Sequence, residues 1–368
     1  MMPPDDEPND DPTVLPRPLT AFKGRGAVHN PKGRFEVQSS TREPEFAETE
    51  APDTVLAVDH SRTVLTFNRS PDLPFDRSIN PYRGCEHGCV YCYARPSHAF
   101  LGLSPGLDFE TRLFHKPDAP EQLRRELARP GYRAAPIALG VNTDAYQPVE
   151  RRLRLTRRLL EVLAETRHPF MLITKATLIE RDMDILAPLA AERLVQVGIT
   201  LTTLDEDLSR RLEPRAAGPK RRLRTIRALH EAGIPVTVSI SPVIPALTDH
   251  ELESILAAAR EAGAIGAHYG LLRLPHELTE VFTAWLETHA PGRAEHVLSL
   301  LRQMHGGAVY RAEFGVRRRG TGAFADLLAQ RFRIATRRLG MDAPLPPLDT
   351  ARFRPPRLDA QLDLFGAP

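Results

Sequence analysis

Residues 80–98 read NPYRGCEHGCVYCYARPSH and contain every cysteine of the 368-residue chain. The three cysteines, Cys85, Cys89 and Cys92, fall within eight residues in a C-x3-C-x2-C pattern. Cysteines this close together suit metal binding far better than a disulfide framework. Three thiolates at this spacing can bind three irons of a cubane [4Fe–4S] cluster and leave the fourth iron without a protein ligand. The sequence therefore predicts a cluster-binding loop with one open iron for a reaction.

A closed zinc site is the alternative interpretation of the same loop. His87 or His98 could complete a set of three cysteines and one histidine. Structural zinc sites, however, usually pair their cysteines as C-x2-C with a second pair further along the chain, and a single compact triplet forms a poor tetrahedral cage. We favour the cluster.

Short apolar runs alternate with longer amphipathic stretches on the C-terminal side of the loop. Counting residues 78–84 as the first run, the others are residues 136–142, 170–175, 194–203, 234–240 and 267–275. Strands that alternate with crossover helices form a parallel sheet, and strands that are apolar almost throughout are covered on at least one face. The pattern predicts an α/β fold, a partial (β/α)6 barrel, with the loops after the strands gathered at one rim.

Composition divides the chain into four parts. Residues 1–53 are rich first in Asp, Glu and Pro and then in Gly, Lys and Arg, which predicts a mostly disordered N-terminal arm. Residues 54–276 form the predicted barrel core, and the apolar periodicity of residues 277–340 predicts a helical C-terminal extension. Residues 341–368 are proline-rich, so we expect a flexible C-terminal tail.

Total charge indicates no particular partner, because 49 Lys and Arg residues nearly balance 47 Asp and Glu residues. Arginine is concentrated in residues 151–158 and 210–227, where phosphate binding competes with the commoner interpretation of solvated helix faces. The chain has no run of about 18 apolar residues, and its acidic start is unlike a signal peptide. We therefore expect a cytoplasmic protein without a membrane partner.

The C-x3-C-x2-C loop, with Tyr91 directly before its third cysteine, resembles the signature of the radical S-adenosylmethionine (radical SAM) superfamily, and the six β/α units are similar to its partial barrel. Residues 80–98 as a whole resemble the branch that contains spore photoproduct lyase and DNA-repair-photolyase-like proteins. The resemblance implies that S-adenosyl-L-methionine binds the open iron of a [4Fe–4S] cluster and is cleaved reductively to a 5′-deoxyadenosyl radical. It also implies a one-electron reductant such as flavodoxin or ferredoxin.

The resemblance also indicates which residues at the strand ends bind S-adenosylmethionine. Asn142, Thr143 and Asp144 match the family segment that contacts the methionine amino group. Lys175 matches a lysine that the photoproduct-lyase branch has near the methionine carboxylate, and Thr200 offers a hydroxyl for the carboxylate or the ribose. Each could instead be a helix N-cap or a surface residue, but their joint placement after consecutive strands favours a cofactor site.

Tyr93 matches a position close to the substrate in the same branch, and we predict for it a catalytic role as a radical relay, or a contact with the adenine. Packing of the cluster loop is the alternative. Photoproduct lyase uses a further cysteine near the end of the second strand as hydrogen donor, and this chain has no fourth cysteine. The resemblance therefore does not imply that this chain donates a hydrogen atom from a cysteine.

Residues Gln361 to Phe365 read QLDLF and resemble the short peptide by which bacterial replication and repair proteins dock on the sliding clamp. The alternative is that Leu362, Leu364 and Phe365 fold back onto the barrel.

The sequence as a whole favours a radical enzyme that acts on a DNA or nucleotide lesion. Radical modification of a protein or a small metabolite is the alternative among enzymes. A non-catalytic, metal-stabilised nucleic-acid-binding protein is the alternative of another class.

Overall fold

The computed structural model describes residues 21–35 and 52–357. Its strands, in chain order, are β1 Val55–Val58, β2 Leu65–Phe67, β3 Arg77–Ile79, β4 Tyr82–Arg83, β5 Arg112–His115, β6 Ile137–Leu139, β7 Phe170–Thr174, β8 Val195–Thr200, β9 Val236–Val243 and β10 Gly266–Leu271. Its α-helices are α1 Asp108–Thr111, α2 Ala119–Leu127, α3 Glu150–Leu153, α4 Leu155–Glu165, α5 Met183–Ala191, α6 Glu206–Leu212, α7 Pro219–Glu231, α8 Leu252–Glu261, α9 Leu278–His289, α10 Pro291–Met304 and α11 Ala323–Arg338.

The larger sheet has the strand order β10-β9-β8-β7-β6-β3-β2. Its neighbours are parallel except for β2 and β3, which pair antiparallel. Leu172 of β7 lies opposite Leu139 of β6 and Val197 of β8, and all three side chains are buried. The six parallel strands are the six predicted apolar runs, so the predicted α/β fold with six β/α units is confirmed.

The first predicted strand, residues 78–84, is divided between two sheets. Residues up to Ile79 belong to β3, whereas Tyr82 and Arg83 form β4 in a smaller sheet of order β1-β5-β4. Pro81 has no N–H to donate to a ladder, so the chain leaves the larger sheet at this point. As a result, the residues just before the first cysteine are held by the hydrogen bonds of the smaller sheet.

The C-terminal helices cover the β10 end of the larger sheet. Trp285 of α9 is fully buried and donates its Nε1–H to the Arg211 carbonyl oxygen at 3.1 Å. Tyr269 of β10 packs on Phe332 of α11 with ring centroids 4.7 Å apart. No helix in residues 21–35 and 52–357 is both long and apolar enough to cross a membrane.

Residues 341–357 differ from the expected flexible tail, because aromatic packing fixes them near the starts of β7 and β8. The ring of Phe353 lies 5.4 Å from the centroid of Tyr132 and 5.1 Å from that of His168. A proline-rich composition does not reveal such an anchor, since it depends on partners far away in sequence. The predicted clamp peptide, residues 361–365, lies outside the described residues.

Residues 21–35 pack against the cysteine loop, although the sequence predicts a mostly disordered arm. Gly26 and Ala27 donate their backbone N–H groups to the Glu110 carboxylate at 2.9 and 2.8 Å. A Cβ on Gly26 would stand 1.8 Å from the Gly88 carbonyl oxygen. The order comes from a buried carboxylate that accepts backbone N–H groups, and nothing in the composition of the arm signals that partner. The remainder of the arm lies outside the described residues.

A buried guanidinium joins the same carboxylate to the cysteine loop. Arg95 is fully buried, and its Nη2 lies 2.5 Å from Glu110 Oε1. Its Nε–H donates to the Cys89 carbonyl oxygen at 2.9 Å, and its other N–H groups reach the carbonyls of Gly88 and Gly106 at 3.1 and 2.8 Å. Since every one of these groups is out of water, the ion pair and its hydrogen bonds specify one conformation of the loop.

We predict that Arg95→Met lowers the thermal midpoint of unfolding by at least several degrees. The substitution leaves Glu110 buried without its cation, and breaking a buried ion pair costs about 3–5 kcal/mol. Arg124→Met is the matched control, because the Arg124–Glu165 pair has side chains 37% and 43% exposed and exposed pairs contribute only about 0–1 kcal/mol. The thermal midpoints are measured by circular dichroism on heating. Equal decreases in the midpoints of the two variants would show that the Arg95–Glu110 pair does not stabilise the loop.

Candidate cofactor site at the rim of the sheet

The cysteine loop turns at two glycines with positive φ, 75° at Gly84 and 66° at Gly88. A Cβ at Gly84 would lie 2.7 Å from Leu113 Cδ2, and one at Gly88 would lie 2.7 Å from Glu110 Oε2. Any other residue would be strained in its backbone and would collide with these buried groups. The turns on either side of the first cysteine therefore require glycine.

The three thiols form a set of soft donors on this loop. Cys85 and Cys89 are buried, Cys92 is half-buried, and none is in a disulfide. Burial raises the pKa of both buried thiols, that of Cys89 to about 12. The other two cysteines raise the pKa of Cys85 further, so the three thiols lie within electrostatic reach of one another. Three sulfur donors on one short loop are the donor set that an iron–sulfur cluster takes.

Each histidine of the zinc alternative makes one polar contact outside the cysteine loop. His87 Nδ1 lies 3.3 Å from Asp144 Oδ2, and His98 Nε2 lies 2.9 Å from the Arg112 carbonyl oxygen. In the described part of the chain, no three His, Cys, Asp or Glu side chains are arranged to hold one metal ion. A cubane binds its cysteines through different irons, so they need not approach one another as closely as the ligands of a single ion. Three sulfur donors on one short loop fit such a cluster.

The loop after β6 carries two of the predicted cofactor contacts. Asn80 Oδ1 accepts the backbone N–H groups of Asn142 and Thr143 at 2.9 and 3.4 Å. The Thr143 side chain is buried, and its hydroxyl donates to the Tyr82 carbonyl oxygen at 3.0 Å. The Asn142 side chain instead lines the cleft beside Tyr93. The structure therefore leaves Asn142 available to a ligand and uses Thr143 to hold the turn.

Asp144, the third residue of this segment, connects the ends of β6 and β7. Its carboxylate accepts the Thr174 hydroxyl at 2.7 Å and the Lys175 backbone N–H at 2.8 Å. Burial alone would raise the pKa of Asp144, but the neighbouring His87 and these hydrogen bonds hold it well below its usual range. The carboxylate is thus ionised and already satisfied by groups of the protein.

The Lys175 ammonium lies beside the cysteine loop. Its Nζ is 5.7 Å from the centroid of the Tyr91 ring. Burial lowers the pKa of Lys175, but the negative charges that Cys89 and Glu213 carry when they are ionised outweigh that effect and raise it. The predicted lysine and the predicted cluster loop are therefore brought together, with the lysine cationic.

Sequence reasoning missed a buried ion pair beneath the loop. Glu213 pairs with Arg222, and the carboxylate also accepts the hydroxyls of Tyr91 and Thr202. Arg222 Nη1 donates to the Thr200 carbonyl oxygen at 2.9 Å, and the Thr200 side chain is buried. Both charged residues lie in the second arginine-rich stretch, where no signal distinguishes them from a solvated face. The backbone of Thr200 thus takes part in the support of the loop, and the predicted contact of its hydroxyl with the cofactor stays a prediction.

Tyr93 forms part of the wall of a cleft next to the third cysteine. The residue is 46% exposed, its hydroxyl donates to the Val141 carbonyl oxygen, and the Arg273 guanidinium lies 4.4 Å from its ring centroid. The cleft measures about 300 Å³, and its lining includes Arg34, Phe100, Asn142, Arg273, His276 and Tyr310. Aromatic rings and guanidinium groups thus lie together on the wall of this cleft.

Comparison with known proteins identifies the class. A family model described as the radical SAM superfamily matches residues 79–259. An uncharacterized protein of Mycobacterium tuberculosis (strain ATCC 25618 / H37Rv) is 37% identical over 242 residues, which are 64% of this chain and 71% of the relative. The chain belongs to the radical SAM superfamily and is a radical SAM enzyme. The cofactors of that superfamily are a [4Fe–4S] cluster and S-adenosylmethionine.

A further relative and two solved structures are similar to parts of this chain. An uncharacterized protein of Methanocaldococcus jannaschii is 29% identical over 173 residues, covering 47% of this chain and 62% of the relative. Among solved structures, a mutant of spore photoproduct lyase has a TM-score of 0.57 and 14% identity, covering 83% of this chain and 86% of that chain. Spore photoproduct lyase complexed with dinucleoside spore photoproduct has a TM-score of 0.54 and 15% identity, covering 77% and 79%. These two structures are similar to this chain in fold.

We predict that Thr143→Val destabilises the protein and leaves the affinity for S-adenosylmethionine unchanged. Valine has nearly the shape of threonine but cannot donate to the buried Tyr82 carbonyl, and a buried polar group without a partner costs about 1–3 kcal/mol. The paired measurements are thermal unfolding and the equilibrium affinity of the reconstituted protein for S-adenosylmethionine. A weaker affinity for S-adenosylmethionine with unchanged thermal stability would instead show that the Thr143 side chain contacts the cofactor.

Proposed function

We propose that Cys85, Cys89 and Cys92 bind three irons of the [4Fe–4S] cluster and that S-adenosylmethionine occupies the rim beside them. When bound, the cluster supplies the electron that cleaves S-adenosylmethionine to methionine and a 5′-deoxyadenosyl radical. The observation that carries this proposal is the presence of three thiols on one short loop whose backbone is hydrogen-bonded to a buried ion pair. The chain itself contributes orientation, charge and exclusion of water.

Lys175 and Asn142 are the side chains that we propose as direct contacts of S-adenosylmethionine. The Lys175 ammonium is a compact cation next to the Cys89 thiol, suited to a carboxylate. The Asn142 side chain lines the cleft and carries both a donor and an acceptor. Thr143, Asp144 and Thr200 then act by positioning these groups through the hydrogen bonds of the turn and the strand ends.

We propose a nucleic-acid lesion as the substrate. Two observations support this choice: the fold similarity to spore photoproduct lyase, which has been solved with a dinucleoside photoproduct, and the cationic, aromatic cleft beside Tyr93. Aromatic faces stack on exposed bases, and arginines contact phosphates. Tyr93 is our candidate radical relay, since it lies on the cleft wall directly after Cys92. Radical modification of a protein or a small metabolite is the second candidate.

The setting of the reaction also remains a proposal. We expect a cytoplasmic enzyme that receives its electron from a flavodoxin or a ferredoxin. Docking on the sliding clamp through Gln361 to Phe365 stays a prediction of the sequence.

The test of substrate class uses the protein reconstituted anaerobically with iron and sulfide, a reductant and S-adenosylmethionine. We expect an ultraviolet-irradiated oligodeoxynucleotide to accelerate formation of 5′-deoxyadenosine and to lose its lesion, whereas the unirradiated oligonucleotide does neither. Both quantities are measured by chromatography with mass detection. Acceleration by neither oligonucleotide would reject the lesion and direct attention to the second candidate.

We predict that Lys175→Met weakens S-adenosylmethionine binding about tenfold to a hundredfold, because a hydrogen bond to a charged group contributes about 1.5–3 kcal/mol. Lys220→Met is the matched control, since that side chain is 77% exposed on α7 and pairs only with Glu206. Equilibrium binding to each reconstituted protein provides the measurement. Equal affinity in the Lys175 variant and the control would remove Lys175 from the site.

A further inference from the structure

A cation without a carboxylate partner lies at the mouth of the cleft. The Arg273 guanidinium lies 4.4 Å from the Tyr93 ring centroid. Among the described residues its guanidinium has no hydrogen-bond or ion-pair partner. An arginine that is fixed on an aromatic face and lacks a counter-ion presents its donors to whatever enters the cleft.

A second arginine is held next to the same strand end. The Arg318 carbonyl oxygen accepts the N–H of Leu271, two residues before Arg273, at 3.0 Å, and the Arg318 guanidinium donates to the Asp72 carbonyl oxygen at 2.7 Å. The Asp72 carboxylate is already bound by Arg317 at 2.7 Å. Burial lowers the pKa of Arg318, and the charge of Arg273 lowers it further. An anionic ligand beside Arg273 would therefore interact favourably with a second cation.

The arginine-rich helical stretches are a weaker candidate for the same role. Several of their side chains form ion pairs, as in Arg157–Asp184, Arg158–Glu121, Arg210–Asp207, Arg221–Glu180 and Arg222–Glu213. These pairs offset part of the charge that made the stretches candidates for phosphate binding. Arg273 differs from the exposed arginines of these helices because it lines a cleft beside the cysteine loop.

Flat side chains accompany the two cations. Tyr93 and Tyr310 line the cleft, and Phe100, at 69% exposure, stands at its edge. Aromatic faces next to arginines are the combination by which proteins bind unstacked bases and their backbone phosphates together.

We propose that Arg273 and Arg318 form a binding site for a backbone phosphate of the nucleic-acid substrate, with Tyr93 as the adjoining wall. This inference rests on the proposed nucleic-acid substrate and specifies how that substrate is held. The site anchors the phosphate next to the loop that carries the third cysteine, so that the base attached to it lies at the rim. The ligand class is a phosphodiester.

The carboxylate of S-adenosylmethionine is the other anion that could reach these cations. The phosphate and the carboxylate can be distinguished, because each would make a different binding affinity depend on Arg273. A phosphate site requires the affinity for an oligonucleotide to fall when Arg273 loses its charge. A carboxylate site requires the affinity for S-adenosylmethionine to fall while oligonucleotide binding is preserved.

The experiment measures binding of a fluorescein-labelled single-stranded oligodeoxynucleotide to the reconstituted protein, with S-adenosylmethionine present, over a range of salt concentrations. Each phosphate contact contributes about 0.7 to the slope of log K against log salt for a single strand. We expect Arg273→Gln to lower that slope by about 0.7 and Arg273→Lys to preserve it, because lysine keeps the charge. Arg227→Gln, on the exposed side of α7, is the control and should match the wild type.

Any of five results would overturn the proposal. Loss of oligonucleotide binding in Arg273→Gln with an unchanged salt slope would mean that the residue acts through the fold, as would equal loss in Arg273→Lys. Weaker S-adenosylmethionine binding with intact oligonucleotide binding would assign Arg273 to the cofactor. Absence of oligonucleotide binding by the wild-type protein would overturn both this inference and the proposed substrate, whereas a normal wild type with unaffected variants would overturn this inference alone.

Discussion

The buried pair of Arg95 and Glu110 is the interaction on which the candidate site depends. The guanidinium holds carbonyls on both sides of the second cysteine, and the carboxylate binds the backbone of residues 26 and 27. A loop that must carry three thiols has little regular structure of its own, so its conformation has to be supplied from outside. One ion pair out of water does this for the loop and for the N-terminal segment together.

The charged residues at the rim fall into two groups. Some form pairs that support the loop, and others are those that we propose to bind ligands. Glu213, Arg222 and Asp144 are buried and satisfied by protein groups, and they tie the loop to the ends of β7 and β8. Lys175 instead lies over the Tyr91 ring of the loop, and Arg273 lies on the Tyr93 ring, which lines the cleft. A radical reaction needs a site that excludes water, and the methionine part of S-adenosylmethionine brings a carboxylate into that site. The buried pairs hold the loop, and Lys175 is the cation that we propose for this carboxylate.

Sequence patterns predicted what depends on local composition and left out what depends on distant partners. The six parallel strands follow from apolar runs, and the donor set follows from three clustered cysteines. The support of the loop could not be predicted, since Glu110 and Arg222 look like ordinary charged helix residues until the chain folds. For the same reason residues 341–357 were expected to be flexible, although Phe353 anchors them on Tyr132 and His168. Thr143 follows a strand as expected, but its hydroxyl is turned inward by the Tyr82 carbonyl.

In the proposed site, three cysteines of one loop leave one iron of the cluster open to S-adenosylmethionine. Electron paramagnetic resonance of the reduced, reconstituted protein tests this arrangement when S-adenosylmethionine carries ¹⁵N or ¹⁷O in its methionine part. We expect hyperfine coupling of the label to the cluster in the wild-type protein, and loss of the cluster signal in Cys89→Ala. A [4Fe–4S] spectrum without any coupling, or bound zinc in place of iron, would show that these cysteines do not form such a site.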